Sequence, residues 1–223
     1  MLLPDTIFDG VIDVSHHNGR IDWPAVAAAG IALAFIKASE GLRFVDPKFD
    51  ANRIGADKAG LAVVPYHFLN PGDPPGQARH FLAVAGLAPG QPAMLDWETE
   101  ATAADLIAIG EEVSAVIGRD PVGYYGWAQL AAAHAVLSRW PLMLPAYPRG
   151  NTPGKYETLV WRAPRLPPGR PSSWDNGPRP YDFHQYTPAG HIAGIPGPVD
   201  RSIWVGSVDD LRHWHVSGTL PIG

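Results

Sequence analysis

Residues 61–98 read LAVVPYHFLNPGDPPGQARHFLAVAGLAPGQPAMLDWE, and their order of strand, helix and strand decides the fold. Leu61–Leu69 is an apolar run of strand length, rich in β-branched and aromatic residues. Pro74-Pro75 then opens a helix, and Gly86 is the residue type that ends one. Ala93–Glu98 is the next strand. One apolar run, one helical segment and a second apolar run at this spacing form a βα unit followed by a parallel strand.

The same grammar extends both ways. Upstream, Val11–Ser15 (VIDVS) reads as a strand, and Asp22 caps a helix with Pro24 in its first turn and Gly30 as its stop. Ala32–Ala38 (ALAFIKA) is the following strand. Asp46-Pro47 opens a second helix that Gly60 closes. Downstream, Thr102 to Asp105 has the form of a capping box, and Leu106, Ile109, Val113 and Val116 recur behind it at helical spacing. Val122–Trp127 is a fifth strand. Several of these strands are apolar on both faces, as buried parallel strands are. The pattern alone admits an open doubly wound sheet or a closed barrel.

From Pro141 onward Pro and Gly are dense and the helical period fades. Short strand candidates remain at Leu142–Tyr147, Leu159–Arg162, Phe183–Thr187 and Ser202–Val205. The long loop Pro164–Pro180 contains Trp174, and the tail after Val208 reads as a short closing helix. No repeat, linker or second domain stands out, so residues 1–223 are expected to form a single domain.

The bulk properties exclude several classes. The chain has 223 residues, 46% apolar and 17% charged, which suits one sizeable core rather than a disordered segment. A net charge of -5 without a basic stripe argues against a nucleic-acid partner. The apolar stretch Val26–Ile36 is broken by Gly30 and too short to span a bilayer, so no membrane insertion is expected. There are no cysteines, which removes disulfides and thiolate chemistry. The opening MLLPDTIFDG lacks a basic region followed by a long apolar one and does not read as a secretory signal. No nucleophile elbow, phosphate loop or dinucleotide fingerprint is present. His16-His17 and His213-Trp-His215 lack zinc-ligand spacing, so no metal or cofactor is expected.

The chemistry concentrates at Asp96-Trp97-Glu98. Residues i and i+2 of a strand share a face, so both carboxyls face one cavity and Trp97 points away. Glycoside hydrolysis needs such a pair in one cleft, with one carboxyl kept protonated. An isolated D-x-E also serves as a loop cap and a solvated strand end. Asp13 strengthens the chemical reading, because an Asp in an apolar strand is costly unless paired or functional. Asp200 is a fourth candidate, with turn capping as its ordinary alternative. Polar and aromatic residues at strand ends suit sugar contact: Tyr66, His67, Tyr125, Tyr147 and Gln185 are the candidates. Core packing explains such positions equally well for at least half of them.

These motifs, in this order, resemble glycoside hydrolase family 25, the bacterial and phage muramidases of the Chalaropsis type. Asp13-Val-Ser-His-His-Asn-Gly19 with Ile21-Asp22-Trp23 is similar to the family's opening, and Phe35 to Gly41 to its next strand. Asp46 to Phe49, Tyr66-His67-Phe68, Gln77-Ala78 with Phe81, Leu95 to Glu98, His184-Gln185-Tyr186 and Gly194 to Asp200 follow the rest. The resemblance implies an α/β, TIM-like barrel of about five βα units followed by three strands. It implies cleavage of the β-1,4 bond between N-acetylmuramic acid and N-acetylglucosamine, with peptidoglycan glycan strands as partner and a monomeric enzyme. It gives Glu98 the general acid/base role and Asp96 that of assisting the substrate's acetamido group. Asp13 and Asp200 become supporting acids of the cleft. Participation of the acetamido group needs no enzyme nucleophile and retains configuration. The chain departs from the family at His16-His17, His184 and Arg201. Action on the wall, reached by phage lysis or another export route, follows as an expectation. A rate maximum on the acid side of neutral is also expected. A chitinase-like hydrolase is the enzymatic alternative, although Ala93-Met94 lack that class's preceding acids. A silent glycan-binding module is the other, against which Asp13, Asp96 and Glu98 speak together.

Overall fold

The computed structural model describes residues 6–126, 129, 140–147 and 181–220. In chain order the strands are β1 (Phe8–Val14), β2 (Leu33–Glu40), β3 (Phe44–Val45), β4 (Ala62–Phe68), β5 (Met94–Trp97), β6 (Val122–Tyr125), β7 (Leu142–Pro145), β8 (Phe183–Gly190) and β9 (Val199–Trp204). The helices are α1 (Trp23–Ala28), α2 (Phe49–Lys58), α3 (Pro74–Ala85), α4 (Ala103–Ile117) and α5 (Val208–Ser217).

The open-sheet alternative is excluded because β1 pairs with both β2 and β9, which closes eight strands into a barrel. Neighbours run parallel from β1 through β8, leaving out β3, which hangs antiparallel on β2. Strand β9 is antiparallel to both β8 and β1 and seals the wall. The barrel is therefore the expected TIM-like α/β form, with five leading strands and three trailing ones. The helix expected to complete the fifth unit, the strand Leu159–Arg162 and the loop Pro164–Pro180 with Trp174 lie outside the described residues.

Local chemistry explains the helix ends. Asp22 accepts from Ala25 N, Asp73 from Gly76 N, and Thr102 and Asp105 form a reciprocal capping box. Helix α2 starts later than Asp46-Pro47 suggested. Asp46 accepts instead from Lys48 N and from His16, so it braces the β1 exit rather than capping the helix.

Two apolar layers result from the strand period of two. Outward residues such as Ile12, Ile36, Leu95 and Leu144 pack under the helices. Inward residues such as Val11, Leu33, Val122 and Phe183 fill the barrel floor. Helix α5 closes that floor. Its Trp214 meets Phe183 at 5.3 Å and Trp204 at 5.6 Å between ring centroids. Burying each such ring stabilises by roughly 1.5–3 kcal/mol. Arg119 donates to the carbonyls of Trp214 and His215, both at 3.0 Å, and so binds the C-terminal end of the plug.

Candidate active site

The site lies at the C-terminal ends of the parallel strands, above the apolar floor. Along each strand the inward face changes character within two residues. Val11 is floor and Asp13 is cleft; Phe35 is floor and Lys37 is cleft. Met94 and Asp96 on β5 and Glu98 just past its end step outward from floor to rim. Strand β9 runs the other way, from Asp200 at the mouth to Trp204 at the floor. The cavity between them is about 240 Å³. A second depression of about 640 Å³ between α1 and α2 has Arg20, Asp22 and Lys58 on its walls but no set of converging carboxyls. Chemistry, not size, selects the first.

Asp13, Asp96, Glu98 and Asp200 all reach this cavity, as do Tyr66, Tyr147 and Gln185. Gln185 is the hub on the side of β8. Its Nε2 donates to Asp13 Oδ2 at 2.8 Å, and its Oε1 accepts from Tyr147 OH at 2.6 Å and Tyr124 OH at 2.9 Å. The carboxamide is thereby oriented, since only its nitrogen can donate to Asp13.

Crowding sets the electrostatics. Asp13 and Asp200 are direct partners across the β1–β9 ladder and share a face. Burial, with neighbouring Glu98, pushes Asp13 up to about 7, while the Gln185 hydrogen bond holds it down. Burial and then Asp13 push Asp200 up to about 9. Asp96 is 8% exposed, and burial followed by the charges of Glu98 and Asp13 raises it well above the carboxylate range. Glu98, at the rim, is raised by burial, with Asp96 and Lys37 pulling the other way. Carboxyls this close cannot all ionise together, so each raises its neighbours' affinity for a proton.

Two expected contacts are not in the cleft. His67 points outward, fully buried under α3, where its Nδ1 meets Ser39 Oγ at 2.8 Å and its ring packs 5.4 Å from Phe81. Tyr125 is also outward and stacks edge-on with Trp97 at 6.1 Å. Period two forbids both members of Tyr66-His67 or Tyr124-Tyr125 from facing the cavity. In-register parallel partners share a face. Asp96 pairs with Tyr124 and Trp97 with Tyr125, so Tyr124 is the cleft tyrosine. Lys37 and Phe68 also line the cavity and were not singled out by strand-end position. The signal that points to Lys37 is its place as the lone charge within the run Leu33–Ala38.

Known proteins resemble this chain over most of its length. Residues 12–195 match the model for glycosyl hydrolases family 25. Lysozyme M1 of Streptomyces globisporus is 29% identical over 210 residues, covering 90% of this chain and 69% of that one. The N,O-diacetylmuramidase of Chalaropsis sp is 29% identical over 195 residues, 74% of this chain and 92% of that one. The crystal structure of the bacterial lysozyme from Streptomyces coelicolor superposes with a TM-score of 0.75 at 25% identity, covering 95% and 98% of the two chains. A match that starts in the first strand and runs to the approach of the last, on a barrel of the same kind, makes the chain a member of glycosyl hydrolases family 25 and therefore a glycoside hydrolase.

Proposed function

We propose that this domain is a peptidoglycan muramidase that cleaves the β-1,4 bond between N-acetylmuramic acid and N-acetylglucosamine, with participation of the substrate's acetamido group. The observation that carries the reading is Asp96 Oδ1. It is buried in the cleft and accepts no hydrogen bond among the described residues. A buried acceptor left alone costs about 1–3 kcal/mol. An N-acetyl sugar brings the missing donor, its amide N–H. Two relatives that carry lysozyme and muramidase names support the same substrate class.

The chemistry follows from the two depths of the pair. Burial weighs more on Asp96 than on Glu98, so a shared proton rests on Asp96 before substrate binds. An amide N–H donated to Asp96 favours its ionised form and shifts the proton demand to Glu98. The acetamido oxygen then attacks the anomeric carbon while Glu98 protonates the departing glycosidic oxygen. Ionised Asp96 stabilises the positive charge that develops on the acetamido group. Glu98, now ionised, removes a proton from water, which opens the cyclic intermediate and restores the acid. The anomeric configuration is retained. The pair needs one proton to start, so the rate declines toward alkaline pH. Asp13 and Asp200 border the site and, with Tyr66, Tyr147 and Gln185, orient the sugar through polar contacts.

The substrate places the enzyme's work at the bacterial wall, with phage lysis or another export route as its means of access. Among the described residues no helix is long and apolar enough to cross a membrane. The decisive experiment is mass spectrometry of soluble products from purified peptidoglycan, with wild type and Glu98→Gln side by side. Muropeptides with reducing N-acetylmuramic acid ends are expected from wild type. Loss of a general acid lowers the variant's rate by roughly 10²–10⁴-fold. Reducing N-acetylglucosamine ends overturn the bond assignment, and a folded wild type that releases nothing overturns the muramidase reading.

A further inference from the structure

Strand β2 carries a lysine at the level where its inward face enters the cleft. The Lys37 side chain is only 12% exposed. A charge taken that far out of water needs a partner. Its Nζ lies 2.7 Å from Glu40 Oε2, and Asn70 Nδ2 donates to Glu40 Oε1 at 3.4 Å. Asn70 is itself fixed by Gln77, which accepts from its N–H at 3.0 Å and donates to its carbonyl at 2.7 Å. Gly41, with φ of +51°, lets Asn70 come this close, since a Cβ there would sit 2.8 Å from Asn70 Nδ2. The ammonium also lies 4.7 Å from the centre of the Phe68 ring and 5.7 Å from that of Phe44.

Glu40 pairs with this ammonium from its own strand; Asp96 on β5, Glu98 just past its end, Asp13 on β1 and Asp200 on β9 line the same cavity, and buried His67 on β4 also feels its charge. Tyr66 and His17 complete the ring, and the His16–Asp46 pair stands beyond Phe44. Among the described residues that line the cavity, Lys37 is the lone lysine or arginine against four carboxyls.

We propose that Lys37, held by Glu40 and Asn70, is a positioning residue whose ammonium keeps the Asp96–Glu98 pair at one shared proton instead of two. This inference rests on the muramidase reading and adds to it the group that sets the pair's charge. The ammonium opposes burial at both carboxyls, drawing each toward its ionised form. A doubly protonated pair has an acid but no ionised Asp96 to hold the acetamido N–H, so turnover stops. Lys37 thus acts through the carboxyls and not on the sugar.

The test is the pH dependence of kcat and kcat/KM on purified wall for wild type, Lys37→Met, Lys37→Arg and Glu40→Gln. Lys37→Met is expected to move both limbs of the profile up by about one pH unit, the lower end of what a nearby opposite charge does. On the acid limb the rate at a fixed pH then falls about tenfold. Lys37→Arg keeps the charge and restores the limbs. Glu40→Gln leaves the cation without its counter-charge and moves the limbs down. Carboxyl ¹³C NMR titration of wild type and Lys37→Met reads the same shift without turnover. A uniform fall in kcat with limbs in place, or a rise in KM alone, overturns the proposal. If Lys37→Met does not fold, Glu40→Gln decides, and limbs that stay put or move up overturn it. A wild type that releases no sugar at any pH refutes the muramidase reading instead, and the NMR titration still judges the lysine.

Discussion

Two of the places where the barrel buries polar groups differ in one respect. Behind β4, His67 is bracketed by Ser39 Oγ at 2.8 Å and Gln77 Oε1 at 3.3 Å, with Phe81 against its ring. Each polar atom there has a partner. In front of β5, Asp96 is buried with Oδ1 unmet, and the carboxyls beside it repel. The first arrangement is finished when the protein folds and the second is finished by a ligand. Burial alone does not mark a functional residue; Asp96 is set apart by an unmet oxygen that faces a cavity shared with three other carboxyls.

The sharpest way to break that contrast is to neutralise the unfinished side. Asp96→Asn keeps shape but cannot ionise. Activity on peptidoglycan is expected to fall roughly 10²–10³-fold, in the range of losing one preorganised transition-state contact. Melting temperature is expected to hold or rise, because a crowded acid has gone. A variant that loses stability and keeps activity would put Asp96 with the architecture.

The complementary change is His67→Ala. It empties a packed position and leaves Ser39 without its partner, at a cost of about 3 kcal/mol. Denaturant unfolding reads that loss, and turnover per folded molecule is expected to stay within a few-fold of wild type. A selective loss of turnover would return His67 to the site, against its outward direction.

The smallest effect is in stability against pH, where the two regions have opposite signs. Burial holds His67 and His184 at about 4, below the usual histidine value. Their contribution is present above that usual value and lost as pH falls through about 4. Asp13 and Asp200 are raised, to about 7 and about 9. Their contribution is complete below the usual carboxylate value and lost as pH rises through those figures. The melting temperature is therefore expected to peak on the acid side of neutral, and Asp200→Asn to flatten the alkaline side. A wild-type melting temperature that climbs steadily from pH 6 to pH 9 contradicts the carboxyl half of this account.

The strand-and-helix order was readable because apolar runs and caps are local, and Asp22, Thr102 and Asp105 cap where the sequence indicated. Closure was not readable, since it rests on β1 meeting β9, a pairing no local pattern encodes. Asp96 and Glu98 share the cleft because an i, i+2 rule needs only one strand. Choosing between Tyr124 and Tyr125 needs the register of two strands, which periodicity in one cannot supply. Lys37 stands out as a charge in an apolar run, but its meaning depends on Glu40 and Asn70 being folded against it.

The acidic mouth is also stitched from distant parts of the chain. Asp13 sits beside Asp200, and below them Arg201 binds Asp9 across 192 residues. Such long closures make folding slow. On the ribosome, a nascent chain lacking β9 has Asp13 but no opposing acid, and its β1 and β8 edges stand open to aggregation. The four-carboxyl cleft is thus complete only once synthesis has passed the last strand.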